Sequence, residues 1–197
     1  SGMAEDPKPG AGPLSEIGMY VVVLMGQNKE PIGKTRLHKT FFLLSRDVPG
    51  FESRFDYEPD IYGPYSRVLE LTLKTLQDEG VIEADAGSGS YRYMRLTKYG
   101  NGLFDQFADK IDGNVAGLLS EYNELFDGMT HDELLAYIDS MYPEMAVNSE
   151  KYKNQIRPRL PEHVIKLVQK EKITSQRGAE LLEIPYSEMR KMLRVAV

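Results

Sequence analysis

The sequence predicts a mainly α-helical protein of the α+β kind, with one β-hairpin as its clearest strand feature. Three observations lead to this class. Apolar residues recur at three- and four-residue spacing along most of the chain from Ser15 onward. One place reads as strand, polar loop, strand: Val81-Ile82, the Gly/Ser-rich stretch from Asp85 to Ser90, then the alternating Tyr91-Arg92-Tyr93-Met94-Arg95-Leu96. A hydrophobic fraction of 41% beside 27% charged residues is that of an ordinary globular chain, which excludes disorder throughout.

Each element follows from local chemistry. Residues 1–14, rich in Pro and Gly, read as a disordered leader behind a Ser1-Gly2 cloning remnant. Ser15 is a good N-cap, and Ile17, Tyr20, Val21, Leu24 and Met25 follow at helical spacing. Asn28 to Gly33 reads as a turn. A second helix, from about Lys34 to Arg46, turns Leu37, Phe41 and Leu44 inward and leaves Lys34, Arg36 and Lys39 on its wet face; Val48-Pro49-Gly50 stops it. Phe51 to Ile61 reads as a short extended piece. Gly63-Pro64 makes a turn, and Ser66 caps a third helix whose buried stripe is Val68, Leu69, Leu73 and Leu76. The order over residues 15–100 is helix, helix, helix, strand, loop, strand. A winged-helix domain requires that order: three helices build the core and a hairpin packs beside the third.

Residues 101–147 read as a helical extension. Leu103, Phe104, Phe107 and Ile111 form one stripe, and Val115, Leu118, Leu119, Tyr122, Leu125 and Phe126 a second. Thr130 opens a further helix with Asp132 and Glu133 in its positive first turn. These faces need partners, supplied either by a second copy or by the first domain's own core; homodimerisation is the expectation. Residues 148–160, polar, basic and proline-interrupted, read as a linker. Residues 161–197 read as a small basic helical segment: a helix to Lys170, a second capped by Thr174, the turn Ile184-Pro185-Tyr186, and a last helix capped by Ser187.

Charge narrows the function. The net charge is −6, but residues 1–148 hold 13 Lys/Arg against 24 Asp/Glu, while residues 149–197 hold 11 against 6. Such a split points either to an anionic partner for the tail or to attraction between the two parts. With no cysteine there are no disulfides, thiolate metal sites or cysteine nucleophiles, as suits a reducing cytoplasm. The longest apolar run, Ile17 to Met25, is far below the ~20 residues of a membrane span. Enzyme chemistry lacks a signature. His38, His131 and His163 are scattered, without a second ligand at i,i+4, and Gly87-Ser88-Gly89-Ser90 lacks the lysine and helix of a phosphate-binding loop. No cofactor, metal or catalytic residue is expected.

The stretch Gly33-Lys34-Thr35-Arg36-Leu37-His38-Lys39, the following Phe41-Phe42-Leu43-Leu44 and the later Tyr62-Gly63-Pro64-Tyr65-Ser66 resemble a family of poorly characterised archaeal and bacterial winged-helix proteins. That family is related to antitoxin and phage-defence domains. The likeness covers roughly residues 15–145 and implies a winged-helix fold. The tail from Ile173 to Ile184 is similar to small prokaryotic helix-turn-helix antitoxins, although Glu183 stands where their turn usually has glycine.

These readings predict a cytoplasmic, non-enzymatic, DNA-binding transcriptional regulator of winged-helix type, with double-stranded DNA as partner. In a helix-turn-helix the second helix enters the major groove. Here it would present Tyr186, Ser187, Arg190, Lys191 and Arg194, whose types suit guanine edges and phosphates. The bland reading of these residues is a solvated basic face. In the first domain the third helix would read with Ser66, Arg67, Lys74 and Thr75, while Arg92 or Arg95 of the wing met phosphate. Asp56, Glu58, Asp60, Glu70, Asp78 and Glu79 surround them and would repel the backbone. The alternative is therefore a protein-interaction module, antitoxin-like or defence-associated, whose acidic winged helix holds a partner protein. Tyr57, Tyr62, Tyr65, Tyr91 and Tyr93 fit core and hairpin packing better than a base-stacking platform.

Overall fold

A computed structural model describes residues 14–85 and 92–196; residues 1–13 of the expected leader, the wing tip Gly87–Ser90 and Tyr91 lie outside the described residues. The order is α1 (Glu16–Gln27), β1 (Ile32–Gly33), α2 (Lys34–Asp47), α3 (Phe51–Phe55), β2 (Glu58–Asp60), β3 (Gly63–Tyr65), α4 (Arg67–Asp78), β4 (Ile82–Ala84), β5 (Tyr93–Leu96) and α5 (Lys98–Phe107). Then come α6 (Gly113–Phe126), α7 (His131–Met141), α8 (Leu160–Gln169), α9 (Ser175–Leu182) and α10 (Tyr186–Val195). The protein is mainly α-helical with small antiparallel strands, the class the sequence predicts. It divides into two compact units: unit 1 runs to Tyr57 and from Ser66 to Glu124, and unit 2 takes Glu58–Tyr65 and Leu125 onward.

Unit 1 is built on α1 and α2. The Ser15 hydroxyl accepts the Gly18 amide at 3.0 Å, and the apolar run Tyr20–Met25 is buried on every side. A Cβ on Gly26 would lie 2.1 Å from the Phe104 ring, so α5 closes on α1 only through a glycine. Helix α2 is buried almost all round from Leu37 to Ser45, and the expected wet face does not exist. Lys39 is 1% exposed, Lys34 pairs with Glu70 at 2.8 Å, and Arg36 donates to the Asn123 carbonyl at 3.2 Å. A helix with neighbours on all sides must find partners for its polar groups inside the fold.

The expected extended piece from Phe51 to Ile61 is the short helix α3 over its first half and the strand β2 only near its end. Its Phe51 and Phe55 stand one turn apart; Phe55 stacks on Phe41 and Tyr57, and Phe51 on Tyr20. Aromatic burial at i,i+4 outweighs the weak alternation seen in the sequence. The expected turn Asn28–Gly33 ends in a strand, β1, which joins the hairpin in a three-stranded antiparallel sheet of order β1-β5-β4, with Ile32 opposite Met94 and Glu83 opposite Arg95. Val115, Leu119 and Tyr122 of α6 are buried, and the Tyr122 hydroxyl donates to Asp47. Part of α6 thus packs in the chain's own core, while Leu103, Phe104 and Phe107 of α5 stay half-buried.

Unit 2 has a core of Leu135, Ala136, Ala146, Tyr152, Ile156, Leu160, Val164, Ala179 and Met189. Thr130 and Glu133 cap α7 reciprocally: the Glu133 amide donates to the Thr130 hydroxyl and the Thr130 amide to the Glu133 carboxylate. Burial works to raise the Glu133 carboxyl, but the Lys170 ammonium at 2.6 Å and the Thr130 amide hold it below its usual range. Residues 148–160 are not a linker. They wind in helical turns, with Ser149, Tyr152 and Ile156 buried and the Ser149 hydroxyl accepting the Tyr152 amide. Tyr152, Ile156, Leu160 and Val164 repeat every fourth residue, which is a buried helical stripe. Pro158 and Pro161 fall in first turns, where a missing amide hydrogen costs nothing. The hairpin β2–β3 joins this unit, and Asn148 donates to the Pro59 carbonyl at 3.2 Å.

Candidate nucleic-acid interface

Helices α8, α9 and α10 close around Val164, Leu167, Ala179 and Met189, all at most 4% exposed. Gly178 lets them meet: a Cβ there would sit 3.1 Å from Val164, 3.2 Å from Val168 and 3.4 Å from Met189. Thr174 caps α9 by accepting the Arg177 amide. The turn from α9 to α10 is tight. Glu183 adopts the left-handed conformation at φ 54°, its amide bonds the Glu180 carbonyl, and the Ile184 amide reaches back to Ala179 at 3.0 Å. This is a Schellman closure made without its usual glycine. Glu183 therefore completes the turn at some cost in backbone strain.

Helix α10 starts earlier than expected. Pro185 occupies its N-cap and makes no side-chain cap, so Ser187 lies inside the first turn rather than capping it. Met189 is buried, with Leu193 packed against the same core. The opposite face presents Tyr186, Ser187, Arg190, Lys191 and Arg194, all exposed. Their i,i+3 and i,i+4 spacing makes one continuous strip, about 12 Å long at 1.5 Å per residue. Arg190 lies over the Tyr186 ring, 5.9 Å from its centroid. Among the described residues no carboxylate pairs with Arg190, Lys191 or Arg194. Three cations elsewhere in unit 2 are neutralised, Arg177 by Glu180 at 2.7 Å, Arg159 by Glu162 at 2.7 Å and Lys151 by Asp132 at 3.2 Å, whereas Lys153, Arg157 and Lys166 form no ion pair among the described residues.

The site expected on α4 comes apart. Ser66 is fully buried and cannot read a ligand. Its hydroxyl donates to the Phe55 carbonyl and accepts the Leu69 amide, and its own amide donates to His38 Nδ1 at 3.3 Å. His38 Nε2 meets Glu70 at 2.8 Å, and the Tyr57 hydroxyl donates to the His38 carbonyl at 2.7 Å. Burial pushes the His38 imidazole below its ordinary value against the upward pull of Glu70. The neutral ring suits both bonds, with Nε2–H donating to Glu70 and Nδ1 accepting from Ser66. Burial also works to raise Glu70, but its bonds to His38 and Lys34 outweigh this and keep it ionised. Serine, histidine and glutamate thus come together as a strut between α2 and α4, with the serine hydroxyl turned away from the imidazole.

Arg67, Lys74 and Thr75 are exposed on α4 together with Leu71. Beside the β4–β5 hairpin, Arg92 is exposed and donates to the Asp85 carbonyl at 3.4 Å. Arg95 is tied to Asp85 and lies 3.9 Å from Glu83, so its charge is spent inside the hairpin. Of the tyrosines weighed as a series, Tyr57 points its hydroxyl inward while Tyr62 and Tyr93 are about half exposed.

Sequence reasoning missed the His38–Glu70–Lys34 network and the exposed Leu71. Lys34 and His38, one helical turn apart on α2, were the signal available for the first. Among the described residues no cluster of three or more His, Asp or Glu could hold a metal ion, and no helix is long and apolar enough to cross a membrane. Neither protein-family models nor curated protein sequences show a match to this chain.

Proposed function

We propose that this chain is a non-enzymatic DNA-binding regulator that contacts double-stranded DNA through α10, the second helix of the α9–turn–α10 unit. One observation carries the reading: Arg190, Lys191 and Arg194 share an exposed helix face, and among the described residues no carboxylate neutralises them. An α-helix with its side chains is about 10–12 Å across and enters a major groove about 12 Å wide, and the cationic strip of α10 lies on a helix reached by a tight turn. Unit 1 supports the regulator reading as a winged-helix scaffold, since α1, β1, α2, α4, β4 and β5 come in that order, with α3 and the β2–β3 hairpin inserted after α2, and the sheet order is β1-β5-β4. Such a role places the protein in the cytoplasm with the DNA. One recognition helix covers about half a site, so two copies on one duplex belong to the proposal. The test is selection of duplexes by the full chain from sheared genomic DNA, repeated with the Arg190→Ala/Arg194→Ala variant. Enrichment that the variant loses supports the function, and enrichment that the variant keeps removes it. Light scattering of the complex gives the number of copies.

A further inference from the structure

The chain leaves unit 1 after Tyr57 and returns to it at Ser66, and one buried residue, His38, holds both points. At the departure, the Tyr57 hydroxyl donates to the His38 carbonyl at 2.7 Å, and the two rings meet edge to face with centroids 6.2 Å apart. At the return, the Ser66 amide donates to His38 Nδ1 at 3.3 Å. The far ring nitrogen, Nε2, donates to Glu70 Oε1 at 2.8 Å. A neutral imidazole satisfies this pattern, with one nitrogen accepting and one donating, whereas an imidazolium donates from both. Protonation would set one N–H against another where His38 is 5% exposed and Ser66 fully buried.

The charges around the ring oppose a further cation. Glu70 Oε1 already holds Lys34 at 2.8 Å, and Lys39, next to His38 on α2, is 1% exposed. On α3, which packs against α2, Arg54 is turned to Glu16 and Glu52 to Arg46; β1, also packed there, carries no titratable group. A proton on His38 therefore adds positive charge to a group in which one carboxylate is already matched by one lysine. We infer that His38 is an acid-released clasp: once protonated it lets go of the Ser66 amide and loosens segment 58–65. That segment carries Ile61 and Tyr62 at its turn, 57% and 53% exposed, so acid changes how firmly an apolar turn is presented. The device is separate from DNA contact and does not depend on how α10 is used.

The experiment is hydrogen exchange of the full chain, with rates corrected for the intrinsic effect of pH. Peptides covering 58–67 should exchange through an opening smaller than the one that exposes α1. In the loosened state an imidazole of ordinary value, about 6.5, favours opening by about tenfold between about pH 7.5 and about pH 5.5. His38→Gln supplies an acceptor and a donor that do not titrate, and should abolish the gain. Three outcomes overturn the inference: 58–67 exchanges only together with α1, the opening does not grow in acid, or it grows equally in His38→Gln. Should that variant fail to fold, nuclear magnetic resonance titration of the parent decides. The His38 ring and the Ser66 amide should shift with one midpoint, and a Ser66 amide that stays put while His38 titrates would overturn the clasp.

Discussion

If α10 meets DNA with Arg190, Lys191 and Arg194, the salt dependence of binding follows from counterion release. Each phosphate neutralised contributes about −0.9 to the slope of log K against log salt. Three cations on phosphate give a slope near −2.7, so raising salt fourfold weakens binding about 40-fold. Removing Arg190 and Arg194 leaves Lys191 alone, a slope near −0.9 and a loss of only about 3.5-fold over the same range. Cations elsewhere would steepen both lines equally, so the quantity that decides is the difference of about 1.8 between them. Fluorescence anisotropy with a labelled selected duplex, titrated from about 50 to about 200 mM salt, measures it. Arg190 on a guanine edge rather than a phosphate would shrink the slope change to about 0.9 and concentrate the loss at one base pair, at about 1–3 kcal/mol. Parallel lines for parent and variant would refute the assignment of α10 as the contact surface.

Three further outcomes follow from the same geometry. Ser66→Ala should cost about 1–2 kcal/mol of stability, because it removes an N-cap and leaves the Phe55 carbonyl and Leu69 amide unpaired, while duplex affinity stays unchanged; chemical denaturation and anisotropy read the two separately. Glu183→Gly should raise the melting temperature, since it relieves a left-handed residue worth about 1 kcal/mol, offset in part by greater freedom of the unfolded chain. His38 has a folded value below its unfolded one of about 6.5. Its contribution is therefore complete above that pH and is lost as pH falls below it, by up to about 1.4 kcal/mol per pH unit. Melting at pH 7.5 and 5.5 should show this loss, and His38→Gln should flatten it. Glu70, held below its usual range, titrates below this window.

Helix periodicity made the fold class legible, because an apolar stripe at 3.6-residue spacing identifies a helix without knowledge of its neighbours. Ser15, Thr130 and Thr174 act as caps as read, since a cap is chemistry within four residues. What failed required knowing what surrounds an element. Lys39 looks like any solvated lysine until α2 proves to be enclosed. Ser66 looks like a reader at a helix start until Phe55 and His38 claim both its polar groups. The two prolines of 148–160 suggested a linker and concealed the Tyr152-Ile156-Leu160-Val164 stripe, which was present in the sequence at four-residue spacing. At the candidate interface the residue types on α10 were readable, but their freedom from carboxylates was not, because ion pairing is decided across elements.

A chain of net charge −6 is an unpromising partner for a polyanion, and the objection turns on distance. At physiological ionic strength exposed charges more than about 8 Å apart are largely screened. What a phosphate meets is therefore the local balance, and on α10 that balance is three free cations beside Glu188. The acids of unit 2 that stand near cations are mostly spent on them, as in Arg177–Glu180 and Lys170–Glu133. Glu188, one turn before Lys191 and Met192, is thus the acid placed to oppose binding. Glu188→Gln should tighten duplex affinity by several-fold at low salt and by little at high salt. An affinity gain that persists unchanged at high salt would show that Glu188 acts through helix stability rather than through repulsion, and would remove the electrostatic account of the α10 face.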